Sequence, residues 1–121
     1  MEETSLYNTN GNPVAYIAND KETIYLWEGM AVAYLVDDKL FGWNGKHLGW
    51  FSEGVIYDLN GHVVGFTKEK SSIATYVEPS KSAKYARYAK YARYASYQKP
   101  VFSSQFAEVN LRDFLSEGSV S

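Results

Sequence analysis

Apolar and polar positions recur in one twelve-residue pattern through the first half of the chain, over Leu6 to Ile17, Ile24 to Leu35, Leu40 to Phe51 and Ile56 to Thr67. Each copy reads as an aliphatic residue, an aromatic, two variable positions, Asn or Glu, Gly, two variable positions, Val or Leu, a small residue and an aromatic; only Thr67 breaks the apolar closing position. The pairs before the midpoint are Asn10-Gly11, Glu28-Gly29, Asn44-Gly45 and Asn60-Gly61. Asn-Gly is the strongest short signal for a two-residue type I′ hairpin turn, which needs positive φ at both positions. The pattern therefore predicts four hairpins and eight short strands, with Gly11, Gly29, Gly45 and Gly61 as structural turns.

Counting outward from those turns sets a register in which Tyr7 faces Val14, Tyr25 faces Val32, Phe41 faces Leu48 and Tyr57 faces Val64. Aromatic–aliphatic pairs of this kind contribute about 0.2–1 kcal/mol each relative to Ala pairs. One step further out Leu6 faces Ala15, Ile24 faces Ala33, Leu40 faces Gly49 and Ile56 faces Gly65, a large residue opposite a small one every time. Small residues at one repeat position predict close approach around a common axis. The copies begin 18, 16 and 16 residues apart, too close for propeller blades of about 40 residues. The connections from Ala18 to Thr23, Val36 to Lys39 and Ser52 to Val55 carry turn-forming residues. Apolar residues on both faces require cover on both sides or curling around a core, because a lone hairpin is not stable in water. Pro13 lacks an N–H for a central ladder, so a seam or a bulge is expected beside the strand from Pro13 to Ile17.

These copies, LFGWNGKHLGWF and IYLWEGMAVAYL above all, resemble the bacterial four-fold β-flower proteins over residues 6 to 67. The later Tyr- and Lys-rich segment and the NLRDFL ending resemble members of that family too, although this chain carries Ala where those relatives place Pro. The resemblance implies a four-petalled β fold. It brings no activity, cofactor or catalytic residue that can be carried over. The fold class is mainly all-β: four hairpin repeats around a pseudo-fourfold axis, with an extended strap and a short C-terminal helix. The expected organisation is a hairpin domain over 1–79, a strap over 80–100 and a tail over 101–121 that packs back, with Asn110 capping a helix through Ser116.

The strap has its own period. Tyr85, Tyr88, Tyr91, Tyr94 and Tyr97 recur every three residues, each preceded by Lys84, Arg87, Lys90, Arg93 or Ser96. On an α-helix five such tyrosines spiral around the axis and form no face. On a polyproline II helix they form one stripe beside a basic one. Ala, Lys and Arg favour the α-helix intrinsically, so both conformations stay open, with the extended one ahead.

Charge sharpens this picture. Residues 80 to 100 carry +6 and no acid, which leaves −8 for the remainder of a chain of net charge −2. The segment thus has an acidic partner within its own chain, and five regularly spaced tyrosines look made to be covered. The other reading is nucleic-acid binding through Lys84, Arg87, Lys90 and Arg93, with Tyr stacking on bases.

Composition excludes several chemistries. At 121 residues and 45% hydrophobic content one domain with a real core is expected. Cys is absent, which removes disulfides, thiolate metal sites and cysteine nucleophiles. No apolar run approaches the roughly 20 residues of a membrane span, and Glu2-Glu3 is acidic where a signal peptide is basic; a soluble, cytoplasmic protein is expected. His47 and His62 are the only imidazoles. With Asp58 they are the residues from which a metal or acid–base site would be built, yet no ligand spacing supports one. Ser52, Ser71 and Ser72 lack a nucleophile elbow, and no cofactor or metal is implied. Trp27 and Trp43 share a repeat position just before the turn pair. Together with Trp50, and rimmed by Lys46 and His47, they are the candidate ligand-binding surface, flat aromatics being suited to sugars, bases or proline-rich peptides. The leading expectation is a non-catalytic binding or protein-interaction module. The alternatives are a small enzyme at a petal junction and the nucleic-acid reading; ligand identity and oligomeric state are open.

Overall fold

A computed structural model describes residues 2–71, 73–86 and 88–120. Eight strands, β1 (Thr4–Asn8), β2 (Pro13–Ile17), β3 (Thr23–Leu26), β4 (Ala31–Val36), β5 (Lys39–Gly42), β6 (His47–Ser52), β7 (Val55–Asp58) and β8 (Val63–Phe66), form one closed antiparallel barrel in chain order. Closure comes from a short ladder between β1 and β8, Tyr7 opposite Phe66 and Asn8 opposite Gly65. Among the described residues no edge strand is left, which removes the template for edge-to-edge association.

The Asn-Gly pairs do turn the chain, but not as type I′. Only the glycines have positive φ, 87° at Gly11, 103° at Gly29, 90° at Gly45 and 82° at Gly61. In each hairpin the glycine N–H donates to the carbonyl three residues back, as Gly11 does to Asn8 at 3.0 Å and Gly61 to Asp58 at 3.0 Å. That is a type I turn followed by a left-handed glycine, a three-residue loop. The Asn8 and Asp58 side chains favour it by accepting the backbone N–H groups two and four residues on. Positive φ at two successive residues occurs instead at Glu53-Gly54, in the return between the third and fourth hairpins.

The extra loop residue changes the inner pairs. Tyr7 faces Pro13, Tyr25 faces Ala31, Phe41 faces His47 and Tyr57 faces Val63, in place of the expected Val14, Val32, Leu48 and Val64. Those four aliphatics are bulged residues that restore the register, so Leu6–Ala15, Ile24–Ala33, Leu40–Gly49 and Ile56–Gly65 stand as expected. A bulge adjoins Pro13, but its recurrence in all four hairpins makes it a property of the repeat and not of proline.

Alternation then sorts the sides. Leu6, Ala15, Ile24, Ala33, Leu40 and Ile56 point into one buried cluster with Leu111, Phe114 and Leu115 of a short helix, α1 (Leu111–Ser116). Asn110 caps α1, its Oδ1 accepting the Asp113 N–H at 2.8 Å. The small positions make room for this helix and for crossing backbone. A Cβ on Gly49 would lie 2.0 Å from the Tyr57 carbonyl oxygen and 3.1 Å from Phe114, and one on Gly65 would meet Tyr7 O and Leu111.

Candidate functional site

The outward positions build an aromatic belt at the junctions between neighbouring hairpins. Tyr16 pairs with Tyr25, Tyr34 with Phe41, Trp50 with Tyr57 and Phe66 with Tyr7. The first two pairs stack with centroids 5.7 and 6.0 Å apart. Trp27 and Trp43 stand edge-on to Tyr16 and Tyr34, at 5.8 and 6.2 Å. An exposed belt of this size would invite association, and the strap lies across it.

The strap is extended and forms no helix among its described residues, which resolves the two conformations in favour of the extended one. It docks by backbone, with a period of nine residues, three of the sequence triplets to each hairpin. The N–H groups of Tyr76, Tyr85, Tyr94 and Ser103 donate to the carbonyls of Gly11, Gly29, Gly45 and Gly61 at 2.8–3.0 Å. The carbonyls of Ala74, Ala83, Ala92 and Val101 lie over the same glycines, where a Cβ would come within 2.0–2.5 Å of them. Each turn glycine is therefore needed twice, for its φ and for the close approach of a second backbone. The docked stretch, from Ala74 to Ala107, is longer than the basic segment of 80–100.

Side chains follow the same period. Lys81 sits over Tyr16 and Trp27, at 4.7 and 5.0 Å, and Lys90 sits over Tyr34 and Trp43, at 4.2 and 5.7 Å. Lys84 lies 5.8 Å from Tyr25, and Arg93 5.7 Å from Phe41. At the third junction Phe102 takes the place of the second cation and stacks on Tyr57 at 3.9 Å, while Lys99 lies 5.2 Å from Phe102. Acid partners come from the body, as the charge division implied: Glu3 bridges Lys81 and Lys84, and Asp38 pairs with Lys99. These cations hold the Glu3 and Asp38 carboxyls below their usual range. Glu78 accepts from the Ser5 and Tyr7 hydroxyls, and burial together with that carboxylate pushes Tyr7 up to about 12.

With cations turned toward the belt, the tyrosine stripe is not the docked face that sequence reading expected. Tyr85, Tyr88, Tyr91, Tyr94 and Tyr97 are 46–62% exposed. The physical reason is the inward pull of rings on cations, worth about 0.5–2 kcal/mol each, together with three residues per turn, which puts one stripe in and another out.

The candidate ligand residues are placed as follows. Trp27 and Trp50 are buried, and Trp43 is half-buried. The Trp27 and Trp43 indole N–H groups donate to the strap carbonyls of Pro79 and Tyr88, at 3.1 and 2.7 Å. Lys46 is exposed beside its turn. His47 is buried between Phe41 and Trp50 and stacked on Tyr97. Its Nδ1 accepts the Tyr97 N–H at 2.9 Å, so Nε2 carries the proton and donates to Gly49 O at 2.9 Å. Burial holds its pKa below the usual value. Both ring nitrogens are thus committed and neutral. His62 and Asp58 line another cavity, of about 360 Å³, with Glu108 and Gln105, so the structure separates His47 from the other two members of the imidazole–carboxylate set. Of the basic residues, Lys84, Lys90 and Arg93 lie along the strap, and Arg87 lies outside the described residues.

Sequence reading missed Glu3 and Asp38 as the strap's partners and the nine-residue period itself. Its signal was present in Ala74, Ala83 and Ala92, in Tyr76, Tyr85 and Tyr94, and in Lys81, Lys90 and Lys99; the shorter triplet period masked it.

Eight strands in four equivalent hairpins, bound by a strap with the same count, define a four-petalled β fold. The profile of the 4-fold beta flower protein family matches residues 4–115, and the chain belongs to that family. No curated protein and no solved structure matches it. Among the described residues no helix is long and apolar enough to cross a membrane, and no group of three His, Asp or Glu is placed to hold a metal ion.

Proposed function

We propose that this protein is a non-catalytic binding module that engages extended polypeptide through the outward tyrosine row of its strap. The observation that carries this reading is the row itself: five tyrosines, each about half exposed, spaced every three residues on a backbone fastened to the barrel. Tyrosine offers rigid apolar area with a hydroxyl at its tip and few torsions to freeze, so a fixed row loses little entropy on binding. Aromatic rows at this spacing suit ligands that also repeat every three residues, such as polyproline II segments.

The enzyme alternative finds less support, because both nitrogens of His47 are spent on Gly49 and Tyr97. The nucleic-acid alternative is weakened by the pairing of Lys81, Lys84 and Lys99 with carboxylates, which breaks the continuity of the basic track. The test is an NMR titration of the full chain with a proline-rich decapeptide, a cello-oligosaccharide and a dT oligonucleotide at physiological salt. The peptide should give saturable shifts at Tyr85 to Tyr97 that vanish in the triple variant Tyr88→Ser, Tyr91→Ser, Tyr94→Ser, while its melting curve stays near that of the parent. Absence of peptide binding, or salt-sensitive binding of the oligonucleotide alone, would overturn the proposal.

A further inference from the structure

The first two junctions of the belt match in arrangement, with Phe41 in place of Tyr25 and Arg93 in place of Lys84, and differ in one charged group. Tyr16, Tyr25 and Trp27 at the first correspond by repeat position to Tyr34, Phe41 and Trp43 at the second. Lys81 and Lys84 correspond to Lys90 and Arg93, nine residues on. The placement is the same in space: the first cation lies over the first ring and the tryptophan, and the second over the partner ring. Each indole donates to the strap carbonyl two residues before the first cation.

At the first junction the Glu3 carboxylate closes the arrangement. Its Oε1 meets Lys81 Nζ at 2.9 Å and its Oε2 meets Lys84 Nζ at 2.5 Å, one oxygen to each cation. Cations three residues apart on an extended strap stand on the same side, at a separation that one carboxylate spans. At the second junction, among the described residues, no carboxylate lies within salt-bridge distance of Lys90 or Arg93. Two acids act on the junction without closing it: Asp20 feels the charge of Lys90, and the charge of Glu22 reaches the Tyr34 hydroxyl, which Arg93 faces. Asp20 is spent on its own turn: Oδ1 accepts the Glu22 and Thr23 N–H groups and Oδ2 the Thr23 hydroxyl. Glu22 is exposed and pairs with neither cation.

We infer that the junction of Tyr34, Phe41 and Trp43 with Lys90 and Arg93 is a binding site for a carboxylate side chain of a partner polypeptide, and that Glu3 occupies the equivalent first site from within the chain. The chain thus carries its own ligand at one of two matched sites. Replacement of Lys84 by Arg93 strengthens the second, since a guanidinium presents a planar fork to a carboxylate where an ammonium presents a point charge. The third junction has lost the site, because Phe102 stands where the second cation would be and Asp38 already holds Lys99. This assignment rests on the matched junctions and is independent of the tyrosine row.

The two indole N–H groups are reporters of the two sites, and the probe is the acetylated, amidated peptide Glu-Glu-Thr, the context of Glu3 itself. Added to the full chain in a ¹H–¹⁵N titration, it should shift the Trp43 indole resonance saturably and leave that of Trp27 unmoved. Lys90→Gln with Arg93→Gln should weaken this response by at least about tenfold, equivalent to about 1.4 kcal/mol. Glu3→Gln, a change at a partly exposed ion pair that costs the fold little, should make the Trp27 indole respond as well. Inorganic phosphate serves as the competing arm. A Trp43 resonance that does not respond, equal responses of both indoles in the parent chain, silence of Trp27 after Glu3→Gln, or tighter binding of phosphate than of the peptide would each overturn the assignment.

Discussion

Replacing Gly45 by alanine should detach the strap from the third hairpin as well as strain the turn. The Gly45 φ of 90° lies in the left-handed half of conformational space, which costs an L-residue roughly 1–2 kcal/mol. The added Cβ would also sit 2.2 Å from the Ala92 carbonyl oxygen, so the strap must lift. Lifting it removes Tyr94 N–H to Gly45 O, Tyr91 N–H to Trp43 O and Trp43 Nε1–H to Tyr88 O, at about 0.5–1.5 kcal/mol net for each. The combined loss is about 3–6 kcal/mol, or on the order of 10–25 °C in Tm for a domain of this size. Gly45→Asn separates the two causes. Asn tolerates left-handed φ but carries the same Cβ, so it should still lose about 2–4 kcal/mol. Thermal melts followed by circular dichroism give the totals, and hydrogen exchange at the Tyr91 and Tyr94 amides reports the strap. Melting of both variants within about 2 °C of the parent, or unchanged exchange at those amides, would refute the reasoning; Lys46→Ala, exposed beside the same turn, is the control expected to change nothing.

Deleting residues 110–121 should leave the barrel interior open. Leu111, Phe114 and Leu115 are each at most 4% exposed, so the loss is about 5–9 kcal/mol, comparable to the whole stability of a small domain, and the truncated chain should bind a hydrophobic dye at room temperature. Gly49→Ala should cost about 1–3 kcal/mol by overpacking against the Tyr57 carbonyl at 2.0 Å, measurable as a lowered denaturation midpoint. His47 makes stability depend on pH. Because burial keeps its folded pKa below the ordinary 6.5, the unfolded chain takes up the proton first as pH falls. Its contribution is therefore full above about pH 6.5 and declines below it toward the folded value. Urea titrations of the parent should lose stability between neutral and mildly acidic pH, and His47→Asn should flatten that limb, whereas acid sensitivity from Glu3 and Asp38, whose folded pKa values are lowered, should persist at lower pH.

The number of hairpins, the outer register and the capped helix were legible in the amino-acid sequence, since these depend on interactions local in the chain. Leu6 opposite Ala15 and Asn110 before Leu111 need only neighbouring residues to be read. The turn type was not legible, because Asn-Gly serves both a two-residue loop and the second half of a three-residue one; Asn8 and Asp58 support the longer form in the first and fourth hairpins, and the second and third adopt it with Leu26 and Gly42 at that position. The inner pairs shifted with it. The relation of the strap to the barrel, by contrast, is set only in the folded molecule. Its triplets say that tyrosines share a side with tyrosines and cations with cations, but not which side faces in. That choice depends on rings from two hairpins meeting under Lys81 and Lys90, on Glu3 arriving from the start of the chain, and on the four turn glycines admitting a second backbone. Each of these contacts joins residues far apart in sequence, so their balance of ring, charge and close approach exists only once the barrel has closed.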